Sequence, residues 1–235
     1  TWYWNRYPGA RCDVQSMEYS YSFDEALQQN WSWTERYAAQ PEILDYANHV
    51  ADRFALRPHI RFDTLADSMT FLEDCSLWRT KTANGDVFYS RFCIMATGCL
   101  SSTNLPDFEG RDDFKGEAYH TGNWPHEPVD FTGKRVGIIG TGSSSIQSIP
   151  IIAASCAHLT VFQRTPNYSI PAHNGPIDED YVQAIKQQYG DFRALNQQMF
   201  AGFGAHQSRW DASVFDLDES GRTQRFEARW QEGGL

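Results

Sequence analysis

Apolar residues recur at helical spacing after Pro41, and strand-like runs follow. The helical positions are Ile43, Leu44, Ala47, Val50, Ala51 and Phe54. This spacing predicts an amphipathic helix, and Pro41 with Glu42 is typical of a first turn. Apolar and β-branched runs predict strands at 59–62, 68–72, 77–82 and 87–95. Since Asn84-Gly85 is typical of a hairpin turn, we predict a small β-meander.

A second pattern begins at Lys134, where a short apolar strand leads into a turn of small residues. We assign a strand to 134–139, a turn to 140–145, a helix to 146–154 and a second strand to 159–162. This order predicts a β-α-β unit, followed by a helical segment at 179–200. Because residues 106–128 are rich in Gly, Pro and Asp, they predict a connector between two folding units, 1–105 and 106–235.

Composition and charge limit the classes of ligand and partner that we expect for the chain. An apolar fraction of 41% predicts a folded globular chain, and a net charge of -10 argues against nucleic acid and membrane surfaces as partners. We find no run of about 18 apolar residues that could span a membrane. Five scattered cysteines indicate neither disulfides nor a metal site. We therefore expect a cytoplasmic protein with small-molecule ligands, and nothing indicates a protein partner.

The turn Gly140-Thr141-Gly142 lies between a predicted strand and a predicted helix. In dinucleotide-binding folds the first glycine makes the tight turn, and the second lets the backbone approach the pyrophosphate at the helix N-terminus. Ser145 stands where a third Gly or Ala is usual. The turn therefore predicts a dinucleotide site, and the alternative is an ordinary strand-turn-helix.

The cofactor preference is predicted from the end of the second strand. Arg164 follows that strand, 24 residues after Gly140. An acidic residue near this place binds the ribose hydroxyl of NAD, whereas Arg accommodates a 2′-phosphate. NADP is therefore favoured, with a solvated surface Arg as the alternative.

Three motifs resemble those of one enzyme family. Phe114, Gly116, His120, Thr121, Trp124 and Pro125 stand at the spacing of the FxGxxxHTxxWP motif of Baeyer–Villiger monooxygenases. Residues 2–13, with Trp2, Tyr7-Pro8-Gly9 and Asp13, resemble the family's Trp motif. Residues 96–98 resemble the Ala-Thr-Gly stretch of flavin monooxygenases. The chain is thus identified as resembling an internal segment of this family.

The resemblance implies a fold and an activity. The fold class is α/β, with a Rossmann-like NADPH-binding domain and part of an FAD-binding domain that contains the β-meander. Residues 1–105 would belong to the FAD-binding domain, and 106–235 would be the connector and a truncated NADPH-binding domain with a helical extension. The reaction would use FAD, NADPH and O2 to insert an oxygen beside a ketone carbonyl, giving an ester or lactone.

The resemblance also implies roles for individual residues. The catalytic region would contain Asp13, Arg11 and His120, with Asp13 near the flavin and nicotinamide. Trp2, Tyr19, Ala96, Thr97 and Gly98 would contact the flavin. The NADP pyrophosphate would lie at Gly140, Thr141, Gly142, Ser143, Ser144 and Gln147, and its 2′-phosphate at Arg164 and Thr165. For His120 we favour a linker role that couples the domains over direct proton transfer.

Two alternatives stay open at this point. One is an N- or S-oxygenating flavin monooxygenase, whose motif lacks the pattern of Thr121 and Trp124-Pro125. The other is a non-catalytic NADP-binding module. In the family, a first glycine-rich FAD loop precedes the Trp motif and an active-site Arg lies beyond this segment, so we expect the chain alone to be inactive.

Overall fold

The computed structural model describes residues 1–204 and 213–234. They contain both helices and strands, including two parallel strands joined by a helix, so the predicted α/β class is confirmed. The helices are α1 (Glu25–Asn30), α2 (Gln40–Arg53), α3 (Ser143–Ala153), α4 (Glu179–Gln187), α5 (Tyr189–Gln198) and α6 (Glu219–Glu232). The strands are β1 (Ala66–Leu72), β2 (Leu77–Thr82), β3 (Val87–Ser90), β4 (Arg135–Ile139) and β5 (His158–Phe162).

The chain divides into two compact units. The meander unit contains Ala47–Asn104 with Thr1, and the dinucleotide-fold unit contains Trp2–Tyr46 with the chain from Leu105 onward. Helix α2 contributes residues to both. The predicted division into 1–105 and 106–235, with a different cofactor for each part, stays a prediction.

The meander unit contains the predicted three-stranded antiparallel sheet. Its strand order is β1-β2-β3, with Leu72 opposite Leu77 and Lys81 opposite Val87. Gly85 has a φ of +93° in the predicted hairpin turn, a conformation that glycine adopts without steric cost. The β-meander and its hairpin are therefore confirmed.

Two predicted strands of this unit are wrong in part or in whole. Residues 59–62 do not form a strand, because Arg57–His59 is a 3-10 turn that the Ile60 amide closes by donating to the Arg57 carbonyl at 3.1 Å. The strand predicted at 87–95 ends at Ser90, its last partner being Trp78. No strand in the described residues pairs with 91–95, and Ile94 is 88% exposed. An apolar run becomes a strand only where a partner satisfies its backbone groups.

In the dinucleotide-fold unit the predicted β-α-β arrangement is confirmed. Strands β4 and β5 are parallel, with Ile139 opposite Phe162, and α3 connects them. The helix begins at Ser143, three residues earlier than its predicted span, so the preceding turn is shorter. The predicted helical segment at 179–200 is two helices, since Gln188 leaves the helical conformation with φ −134° and ψ 36°.

The core of this unit lies between residues 15–46 and helices α4 and α5. Met17 and Leu27 are almost fully buried there. Tyr181 donates to Gln15 Oε1 at 3.3 Å, and burial raises the pKa of Tyr181 to about 12. Within the described ranges, no helix has the length and apolar character needed to cross a membrane.

Candidate functional site

The glycine turn after β4 opens the first turn of α3. Gly140 has a φ of +103°, and its amide donates to the Phe162 carbonyl at 2.8 Å, which ties the turn to the end of β5. Gly142 is the N-cap residue of α3 and has no side chain to occupy the first helical N–H groups. A Cβ added at Gly142 would meet no atom within 4 Å. The turn therefore leaves open space beside unpaired donors and the positive end of the helix dipole, an arrangement suited to an anion.

Two polar side chains after β5 hold this turn in place. Gln163 donates from Nε2 to Thr141 Oγ1 at 2.9 Å, and Asn167 donates from Nδ2 to the Thr141 carbonyl at 2.7 Å. Sequence reasoning did not identify either residue. Their position was nevertheless a usable signal, because the carboxyl ends of parallel strands meet at the same edge of a sheet.

Arg164 and Thr165 follow β5 at that same edge and are exposed. Among the residues that the structure describes, no carboxylate forms an ion pair with Arg164. A guanidinium without a protein counterion can bind a phosphate through charge-assisted hydrogen bonds. The geometry is compatible with the predicted 2′-phosphate contact, which stays a prediction.

Three of the predicted site residues come together at the first turn of α3. The Asp13 carboxylate accepts from Gln147 Nε2 at 2.7 Å through Oδ1 and from the Ser143 hydroxyl through Oδ2. Ser143 and Gln147 are four residues apart on α3 and thus lie on one face of the helix. Asp13 therefore bridges the first turn of the helix that follows the glycine turn.

Arg11 lies beside Asp13 in sequence but pairs with a different carboxylate. Its NH1 group donates to Glu35 Oε2 at 2.9 Å, and Glu35 also accepts from Asn174 Nδ2 at 2.5 Å. Both members of the ion pair are about one-third exposed, so the pair serves mainly to fix geometry. The sequence analysis predicted neither contact of Glu35, because Arg11 is 24 residues and Asn174 is 139 residues away from it along the chain.

Trp2 and Tyr19 form an aromatic pair in the same unit. Trp2 donates from Nε1 to the Tyr19 hydroxyl at 3.0 Å, and the rings are 6.0 Å apart at an interplanar angle of 83°. Burial raises the pKa of Tyr19 above its ordinary value. The pair is partly exposed and offers aromatic surface to a flat ligand.

His120 caps a 3-10 turn at Thr121–Asn123. Its Nδ1 accepts from the Gly122 amide at 3.0 Å, and the side chain is half-buried. A nearby aromatic contact joins Trp124 to Tyr119, with ring centroids 5.4 Å apart. This cap gives His120 a structural task in the connector, and the linker role stays a prediction.

Ala96, Thr97 and Gly98 lie in the meander unit and are exposed. Gly98 has a φ of +74°, and the Ser101 hydroxyl donates to the Thr97 carbonyl. A backbone of this kind is typical of a tight turn. Its predicted contact with flavin stays a prediction.

Comparisons with known proteins identify the family. The model described as "Pyridine nucleotide-disulphide oxidoreductase" matches residues 15–214. The chain therefore belongs to the pyridine nucleotide-disulphide oxidoreductase family.

Individual relatives are more specific. A "Baeyer-Villiger monooxygenase" of Pseudooceanicola batsensis is 44% identical over the whole chain, which covers 42% of that protein. The structure of an oxidized steroid monooxygenase bound to NADP has 51% identity and a TM-score of 0.89, and the chain covers 44% of it. A complex of OTEMO with FAD and NADP has 39% identity, also with a TM-score of 0.89, and the chain covers 45% of it.

The predicted resemblance to Baeyer–Villiger monooxygenases is thus confirmed over the full chain, as is the Rossmann-type fold. The chain spans less than half the length of these relatives.

Proposed function

We propose that this chain contributes the NADPH site and part of the FAD site of a Baeyer–Villiger monooxygenase. The enzyme would use NADPH and O2 to insert one oxygen beside a ketone carbonyl, giving an ester or lactone. The observation that carries the proposal is the open glycine turn at Gly142, together with the hydrogen bonds that Asp13 accepts from the first turn of α3. The similarity to a steroid monooxygenase bound to NADP supports it.

The residues present fit a dinucleotide. The pyrophosphate would bind at the N-terminus of α3 beside Gly140, Gly142 and Ser144, where an added Cβ at Gly142 would enter open space. Arg164 and Thr165 would bind the 2′-phosphate. This contact would distinguish NADPH from NADH, since the latter lacks that phosphate.

The residues of the Trp motif fit a flat aromatic cofactor only in part. Trp2 and Tyr19 would lie against FAD, and Ala96, Thr97 and Gly98 would approach it with their backbone. Asp13 would face the flavin and nicotinamide from the loop that is hydrogen-bonded to α3. When bound, NADPH supplies the reducing equivalents and reduced FAD supplies the reaction with O2, whereas the chain's residues bind, orient and exclude water.

A ketone substrate and a cytoplasmic location belong to the same proposal. A ketone is the substrate that Baeyer–Villiger chemistry requires. The cysteines, all free, fit a reducing compartment, and burial raises the pKa of the Cys12 thiol to about 11, so that thiol is protonated at neutral pH.

The test is an assay of the full-length protein with FAD, NADPH and a panel of cyclic, aromatic and steroid ketones. With isotopically labelled O2, we expect ketone-dependent NADPH consumption and one labelled oxygen atom in an ester or lactone. If NADPH is consumed equally without ketone, or amines and sulfides alone become labelled, the proposal is wrong.

A further inference from the structure

The backbone of Arg11 lies between two parts of the dinucleotide-fold unit. On one side it forms an antiparallel bridge with Ala39, flanked by bonds from the Cys12 amide to the Ala38 carbonyl and from the Gln40 amide to the Ala10 carbonyl. In a pair of this kind, the N–H and C=O of the bridged residue point away from the partner strand. The backbone groups of Arg11 therefore face the opposite side and need another partner.

That partner is the side-chain amide of Gln147 on α3. Its Oε1 accepts from the Arg11 amide at 3.3 Å, and its Nε2 donates to the Arg11 carbonyl at 3.2 Å. Oε1 also accepts from the Tyr7 hydroxyl at 2.9 Å, and Nε2 also donates to Asp13 Oδ1 at 2.7 Å. A primary amide has two donor and two acceptor positions, so residues 7–13 use the whole hydrogen-bonding capacity of Gln147.

Packing at Gly9 brings the same loop against the helix backbone. A Cβ added at Gly9 would lie 2.2 Å from the Gln147 carbonyl oxygen and 3.1 Å from Ile151 Cγ1. Only glycine permits this approach. The loop 7–13 and α3 are therefore joined both by van der Waals contact and by the amide of Gln147.

We propose that Gln147 is a positioning residue that holds Asp13 against the dinucleotide helix, and that it does not bind the NADP pyrophosphate. The inference rests on the proposed function. It replaces the role that the sequence predicted for Gln147, which was contact with the NADP pyrophosphate. With its amide saturated, Gln147 has no donor left for phosphate, whereas the Asp13 carboxylate that it orients lies against the first turn of α3. Gln147 would thus determine the placement of Asp13 relative to the nicotinamide without contributing to the affinity for NADP.

The experiment separates these two roles in the full-length protein. Gln147→Met keeps the length of the side chain and removes all four hydrogen bonds. Gln183→Met is the matched control, since Gln183 is exposed on α4 and, among the described residues, its side chain forms a hydrogen bond only to Glu179 Oε1, at 3.1 Å. For each variant we would measure the rate of flavin reduction by NADPH, the rate of reduction by dithionite and the dissociation constant for NADP+.

For Gln147→Met we expect flavin reduction by NADPH to slow about tenfold or more, the effect of losing a hydrogen bond to a charged group. The affinity for NADP+ should stay within about threefold, and reduction by dithionite should not change. A matching loss of NADP+ affinity would show a ligand role, and an unchanged NADPH rate would show no positioning role. Either result overturns the inference. If NADPH does not reduce the flavin of the wild-type protein, the proposed function itself is wrong.

Gln147→Glu keeps the inference testable if the Met variant does not fold. It keeps the acceptors for Tyr7 and the Arg11 amide but places a second carboxylate against Asp13. In the described residues, the titratable side chains that contact Gln147 are Asp13 and Tyr7, and burial raises the pKa of Tyr7, so Tyr7 stays protonated. The carboxylate pair should share a proton at low pH, so the reduction rate should recover as pH falls. A pH profile equal to that of the wild type would contradict the role of Gln147.

Discussion

The close approach of Gly9 to α3 makes Gly9→Ala a sharp test of the loop geometry. Gly9 has a φ of +78°, and a methyl group there would meet Gln147 backbone atoms at 2.2 and 3.0 Å. A left-handed conformation costs a non-glycine residue about 1–2 kcal/mol. Overpacking against backbone, which cannot rotate away, costs roughly 1–3 kcal/mol more. The free energy of unfolding should therefore fall by about 2–5 kcal/mol.

Gly133→Ala is the matched control. Gly133 belongs to the same unit and has a φ of +70°, but an added Cβ would meet nothing within 4 Å. This variant should lose only the conformational part, about 1–2 kcal/mol. Urea unfolding followed by tryptophan fluorescence measures both. If the two variants agree within about 0.5 kcal/mol, the loop does not lie against the helix as described.

Three further predictions concern other parts of the chain. Arg164→Ala should weaken NADPH binding by about ten- to a hundredfold without changing NADH binding. The control Arg135→Ala, at the start of β4 and thus at the opposite end of the sheet, should change the binding of neither cofactor. Equal losses for both cofactors would exclude the 2′-phosphate role. His120→Ala removes the acceptor for the Gly122 amide, so oxygenation should slow while FAD stays bound, and His120→Asn, which can make the same cap, should restore the rate; loss of FAD on purification would instead indicate a flavin contact. Burial raises the pKa of Tyr189 from 10.0 to about 12, so the stability that its protonated hydroxyl contributes is complete below pH 10 and is lost as pH rises towards 12. Tyr189→Phe should therefore reduce the loss of folded protein at alkaline pH, measured by circular dichroism. An equally steep loss in the variant would contradict the burial of Tyr189.

Local sequence patterns predicted much of the fold. The hairpin at Asn84-Gly85 and the glycine turn at Gly140 were found because short-range residue order determines such turns. The run at 91–95 has an equally clear apolar pattern, yet it is not a strand in the described chain. Strand formation depends on a partner elsewhere in the chain, which a local pattern does not reveal.

The candidate site was predicted in its residues but not in its contacts. Asp13 and Gln147 were both expected near the cofactors, but their hydrogen bond joins residues 134 positions apart. Arg11 was expected near Asp13, yet its ion pair is with Glu35. Residue type suggests what a side chain can bind, whereas its choice among several carboxylates depends on tertiary packing.

The binding of NADP+ at the glycine turn is tested most directly by calorimetric titration of the full-length protein and its Gly142→Ala variant. In the protein without NADP+, the new methyl group of Gly142→Ala would enter open space at an ordinary φ of −73°, so the fold should tolerate the substitution. In the complex it would stand where the pyrophosphate approaches the backbone. Gly175→Ala, also with no atom within 4 Å of the new Cβ, is the control. We predict that Gly142→Ala weakens NADP+ binding about tenfold or more while Gly175→Ala does not. Unchanged binding by Gly142→Ala, or no binding by the wild type, would contradict the account.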